Sequence, residues 1–107
     1  MNIVVEKEEA RTIVKVSGCI NAGNSSELEK KFSEVIESGS TFLVVDMSGL
    51  EYISSAGLRV MLSAYKKIKA VNGRIVLCAL QEIVREVFDL SDFSSLFEIV
   101  PSVEDVA

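Results

Sequence analysis

The spacing of apolar positions changes along this chain, and each change marks an element. Ile3-Val4-Val5 and Thr12-Ile13-Val14-Lys15-Val16 flank a charged stretch over 6–10. In the second run Ile13, Lys15 and Ser17 share one face and Val14 and Val16 the other, the two-residue period of a strand. The pattern predicts strands over 2–8 and 11–17, joined as an antiparallel hairpin, and a loop over 18–25. The period then lengthens. Leu28, Phe32, Val35 and Ile36 recur at helical spacing, and Gly39 supplies a stop. Ser26-Glu27-Leu28-Glu29 fits a capping box, with Ser26 as N-cap and Glu29 reaching back.

Residues 41–46 are apolar without alternation, as in a central strand covered on both faces. After a short loop, a helix is expected from Ser54 or Ser55 to about Val71. Its apolar stripe is Leu58, Met61, Leu62, Tyr65 and Ile68, with Arg59, Ser63, Lys66 and Lys67 on the other side. Asn72-Gly73 ends it. A further strand is predicted over 74–79 and a third helix over 81–90, with Ile83, Val84, Val87 and Phe88 facing inward. Residues 91–97 form a turn that packs Phe93, Leu96 and Phe97, 98–100 a last short strand, and 101–105 a brief helix start. The order β-β-α-β-α-β-α-β predicts an α/β fold in which a mixed, mostly parallel sheet is packed with helices through right-handed crossovers.

Composition narrows the class. At 107 residues and 49% hydrophobic, the chain is one domain, 1–107, with enough apolar mass for a core. One proline and no low-complexity run argue against disorder. A formal charge of −5 disfavours nucleic acid, whose phosphates need a basic footprint. The apolar runs are too short to span a bilayer, and no basic-then-apolar leader opens the chain, so a cytoplasmic protein without direct membrane insertion is expected. Cys19 and Cys78 are expected to be reduced, mostly buried thiols. With no histidine they make a poor metal set, and neither a metal nor a cofactor is expected.

The chemistry concentrates between Asp46 and Arg59. There a strand runs into Ser48-Gly49-Leu50, then into paired serines and a helix. A hydroxyl at a helix N-terminus sits where free N–H groups and the helix dipole favour negative charge. A nucleophilic serine needs a base and an oxyanion hole. No histidine and no G-x-S-x-G elbow are present, and the closely flanking acids are Asp46 and Glu51. The segment therefore fits a phosphate acceptor better than a catalyst, and an enzyme is not expected.

Each residue here also has a plainer role. Serine is a preferred N-cap, and Ser54 is the better candidate for it. Gly57 either permits close approach in the first turn or packs tightly on the sheet. Asp46 caps the Ser48-Gly49 turn or lies near the acceptor hydroxyl. Arg59, one turn after Ser55, pairs with a phosphate, joins Lys66, Lys67 and Lys69 in a partner face, or is simply solvated. Asn21, Asn24 and Ser25 belong to a loop expected at the same end of the sheet.

The segment Asp46-Met47-Ser48-Gly49-Leu50, with Ile53-Ser54-Ser55-Ala56-Gly57-Leu58, resembles the STAS domain of sulphate transporters and anti-sigma factor antagonists. Gly18-Cys19-Ile20-Asn21-Ala22 resembles that family's turn after its second strand. Val76-Leu77-Cys78-Ala79-Leu80 with the helix after it resembles the later strand and helix. The resemblance spans the chain and implies a bacterial partner-switching protein in transcription regulation. Its partners would be an anti-sigma factor that is itself a serine kinase, and a serine phosphatase. The implied phosphoacceptor is Ser55, with Ser54 as second choice. The implied contact surface includes Asn21, Asn24, Ser54, Ser55, Gly57 and Arg59, with Asp46 and Ser48 as structural neighbours. Two positions depart from the pattern: many phosphorylated members carry Asp where this chain has Ser54 and where it has Asn21. The same resemblance admits a second reading, a non-catalytic STAS subunit of a lipid-transport or multi-protein signalling complex.

Overall fold

Strands β1 (Asn2–Lys7) and β2 (Thr12–Ile20) pair antiparallel around the charged turn. Helix α1 (Ser25–Glu37) carries the chain back, and β3 (Phe42–Ile53) returns parallel to β2. Helix α2 (Ser55–Ala70), β4 (Arg74–Cys78), α3 (Glu82–Leu90) and β5 (Glu98–Val100) repeat the move, each strand adding parallel to the last. The computed structural model describes residues 1–107. The sheet runs β1-β2-β3-β4-β5, the expected mixed and mostly parallel arrangement.

Successive side chains of a strand point to opposite faces, so the sheet has two apolar surfaces to cover. On one, Val14, Val45 and Leu77 meet Phe32 of α1, Met61 of α2 and Phe88 of α3 in a single core. Full burial of a side chain such as Phe32 or Phe88 contributes about 2–3 kcal/mol. Tyr65 and Phe88 meet Phe97 edge-on, at 5.4 and 6.1 Å between ring centroids, and close the β5 side. The second face is smaller. Ile13, Val44 and Cys78 are covered there by Val103 and Val106, from the segment around the 3-10 turn Val103–Asp105.

The main departure from the expected elements is β3, which runs on to Ile53 where a loop was expected after residue 46. The cause is a pair of bulges. Lys15 lies opposite Asp46 but Ser17 opposite Gly49, and Gly18 lies opposite Leu50 but Cys19 opposite Tyr52. Each step inserts one extra residue into β3. Inward positions therefore fall three apart, at Met47, Leu50 and Ile53, and the two-residue period is hidden. Strand β2 likewise continues to Ile20, and the expected loop over 18–25 shrinks to 21–24.

Other corrections are local. Helix α1 starts at Ser25 with Asn24 as N-cap, so the Ser26 capping box is not the start. Along α2, Val60 and Ala64 are buried, while Leu62 and Tyr65 are only half-buried. Ile83 points outward, because nothing packs over that side of α3, and Leu96 is exposed at its turn. Strand β4 stops at Cys78, where Ala79 turns the chain at φ +59°. Cys78 is buried as expected, but Cys19 is exposed near the end of β2.

Candidate functional site

The carboxyl ends of the parallel strands gather three loops, the place where open α/β sheets present their sites. Past its bulges β3 pairs with β2 alone, and Ser54 N–H donates to the Ile20 carbonyl at 2.9 Å. That bond ties the start of α2 to the end of β2 and sets Ser54 beside the Asn21 loop. Helix α2 begins at once. Ser54 is extended, at φ −87° and ψ 173°, its carbonyl accepts from Leu58 N–H at 2.9 Å, and its Oγ accepts from Gly57 N–H at 3.2 Å. Ser54 is thus a complete N-cap. Ser55, the first helical residue, is exposed and takes no part in the cap.

Gly57 is buried beneath this turn. A Cβ there would stand 2.7 Å from Ile53 Cγ1 and 2.8 Å from Ile20 Cγ2. The absent side chain lets the first turn of α2 press onto the ends of β2 and β3, which is the packing role.

The Asn21 loop is closed by its own side chains. Asn21 Oδ1 accepts from Gly23 N–H at 2.9 Å and from Asn24 N–H at 3.1 Å. Asn24 Oδ1 accepts from Asn21 N–H at 2.8 Å, and its Nδ2 donates to the Cys19 carbonyl at 2.9 Å. Asn21 is exposed and Asn24 half-buried, so the loop presents Asn21 on a rigid frame next to Ser54.

Asp46 and Ser48 sit apart from this group. Asp46 Oδ1 accepts from Ser48 N–H at 3.0 Å, which satisfies a backbone donor freed by the first bulge. Asp46 is in register with Lys15 and with Cys78. Cys78 belongs to the smaller apolar cluster on the second face, away from α2. Burial first, and Asp46 next, push the Cys78 thiol up to about 11. Gln81, which no motif singles out, donates from Nε2 to the Ser48 carbonyl at 2.8 Å and fastens the start of α3 to the bulge. Arg59 is exposed one turn beyond Ser55 and joins none of the five ion pairs. The surface has four hollows, and neither Ser54 nor Ser55 lines any of them. The serine end is an open surface that presents hydroxyl, amide and guanidinium groups.

The STAS domain model matches residues 2–106. The chain belongs to the STAS domain family. Among relatives of this STAS domain, BtrV of Bordetella bronchiseptica, named as a candidate anti-sigma factor antagonist, is 38% identical over 107 residues, covering 100% of this chain and 92% of BtrV. The anti-sigma F factor antagonist of Paenibacillus polymyxa is 31% identical over 104 residues, covering 94% and 86% of the two chains. The crystal structure of an anti-sigma factor antagonist from Mycobacterium paratuberculosis superposes with a TM-score of 0.88 at 26% identity, over 97% of this chain and 88% of that one. Within this STAS domain no helix is long and apolar enough to cross a membrane.

Proposed function

We propose that this STAS domain is an anti-sigma factor antagonist, that its partner is an anti-sigma factor with serine-kinase activity, and that phosphorylation of Ser55 weakens their complex. The names of its relatives support the antagonist role. One observation carries the choice of residue. Ser54 does the capping, so Ser55 is left exposed at the positive end of α2 with no structural duty.

A phosphate on Ser55 adds a charge of about −1.5 to −2 and three acceptor oxygens. The N-terminus of α2 tolerates that charge, so the fold persists. A partner shaped to a neutral hydroxyl meets desolvation and like-charge costs instead. Affinity then switches without a large change of shape, and a serine phosphatase resets it. Ser54 is a poorer acceptor, because its Oγ is half-buried and already engaged by Gly57 N–H. The role requires no catalysis from this chain, and Asp46 is committed to its bulge rather than to activating a serine.

The test is binding to the anti-sigma factor encoded in the same genome, measured with unphosphorylated and Ser55-phosphorylated chain. The unphosphorylated form binds at least about tenfold more tightly, a difference within the cost of burying an unpaired charge. Ser55→Ala binds whether or not Mg·ATP is present. Equal affinity of the two forms contradicts the reading and favours a fixed contact in a larger assembly.

A further inference from the structure

Helix α2 carries charge of one sign only. It holds Arg59, Lys66, Lys67 and Lys69 and no Asp or Glu, in a chain of net charge −5, which leaves −9 for all other residues. The five ion pairs of the fold use Arg11, Lys15, Lys31, Arg74 and Arg85, none of them on α2. Lys67 Nζ donates instead to Ser33 Oγ of α1 at 2.8 Å, and Lys69 Nζ lies 5.5 Å from the centre of the Tyr65 ring. Arg59 and Lys66 are exposed without an acidic partner.

The same face borders a shallow groove. Arg59, Leu62, Ser63, Lys66 and Lys67 form one open, solvent-facing stripe of α2. Beside it a hollow of about 290 Å³ lies between α1 and α2 and shares Lys67; Ile36 and Ala70 line it, with Glu37 as its single acid. Half-buried Leu62 and Ile36 are the apolar contributions between the cations.

We propose that this groove docks an acidic amphipathic helix of the protein partner. An apolar residue of that helix enters over Ile36 and Ala70, and its carboxylates meet Arg59, Lys66 and Lys67. The inference rests on the proposed function for the existence of a protein partner, but not on phosphorylation. Charge complementarity selects an acidic occupant. The apolar surface is recessed, and the exposed large apolar side chain nearest it is the single Val71 at the C-cap of α2, which suits an inserting side chain better than a bilayer. The stripe starts at Arg59, one turn from Ser55. An acidic partner lying there is repelled by a phosphate on Ser55, and that phosphate also competes for Arg59.

The test is titration of the isotope-labelled full chain, followed by NMR, with a synthetic helical peptide bearing a leucine stripe flanked by glutamates. A second peptide carries glutamine in place of every glutamate. Expected are shifts centred on Arg59, Leu62, Ser63, Lys66 and Ser33, and affinity that falls as salt rises. Affinity falls about tenfold for the glutamine peptide and for Lys66→Glu/Lys67→Glu. The salt dependence of the unmodified chain decides the matter even if the double variant folds poorly. Shifts elsewhere, equal binding of the two peptides, or preference for phosphatidylglycerol vesicles would overturn the proposal. Self-association of the chain through the same residues would also overturn it, by assigning the groove to a second copy. Peptide binding is read on the unphosphorylated chain without Mg·ATP, so failure here and failure of the phosphorylation switch are separately visible.

Discussion

Helices α1 and α2 both open on a serine pair, Ser25-Ser26 and Ser54-Ser55, yet the two starts are built differently. At α1 the N-cap is Asn24, whose side chain is spent on Asn21 N–H and the Cys19 carbonyl; both serines lie inside the helix, and the third helical residue is exposed Glu27. At α2 the first serine is the cap, the second is the first helical residue, and the third is buried Gly57. The first turn of α1 already holds an acid against the helix dipole, and the first turn of α2 holds none. A serine pair therefore does not define an acceptor. Ser26 is exposed and outside its cap as well; what sets Ser55 apart is the uncompensated positive end of its helix.

Substitutions at matched positions break or sharpen this contrast. The largest effect is expected at the third helical residue. Gly57→Val drives carbon into Ile53 and Ile20 and lowers stability by about 2–3 kcal/mol, whereas Glu27→Val costs only about 1 kcal/mol, from the lost acid and the lower helix propensity of valine; denaturant unfolding of both variants checks this. Next is the cap. Ser54→Ala costs about 1 kcal/mol and speeds amide exchange at Gly57, while Ser26→Ala is close to neutral. Asn24→Ala acts through its loop, so exchange rises at Asn21 rather than inside α1. The smallest effect is electrostatic. Ser55→Asp raises stability by about 0.5 kcal/mol at low salt, and the gain fades at high salt; Ser25→Asp, two residues from Glu27, gives no gain. Equal gains at both positions would remove the electrostatic half of the comparison.

The apolar pattern located each of the five strands and three helices, although β1 and β5 bury no side chain fully. It failed where the backbone departs from a plain period. The bulges of β3 place Met47, Leu50 and Ile53 three apart, which looks like neither a strand nor a helix, so half of β3 looked like loop. The Ser26 box failed because Asn21 and Asn24 bond to each other across the loop and end it two residues sooner, a reciprocal contact with no signature in spacing. Ile83 and Cys19 were assigned inward on hydrophobicity, but α3 has no neighbour on the Ile83 side and Cys19 falls on an exposed position near a bulge. At the serine end the cap at Ser54 was legible, since an N-cap serine at the start of an apolar helical stripe is a local property. The placement of Asp46 on the second face and the bond from Gln81 to Ser48 depend on strand register, which the apolar pattern does not encode.

The most direct test of the central claim is peptide-resolved mass spectrometry of the chain after incubation with native lysate and Mg·ATP, with Ser55→Ala alongside. The account predicts one phosphate, on Ser55, absent from the variant, and none on Ser25, Ser26 or Ser54. Phosphate on another of these serines, or on none of them in a lysate shown to contain active kinases, would contradict it.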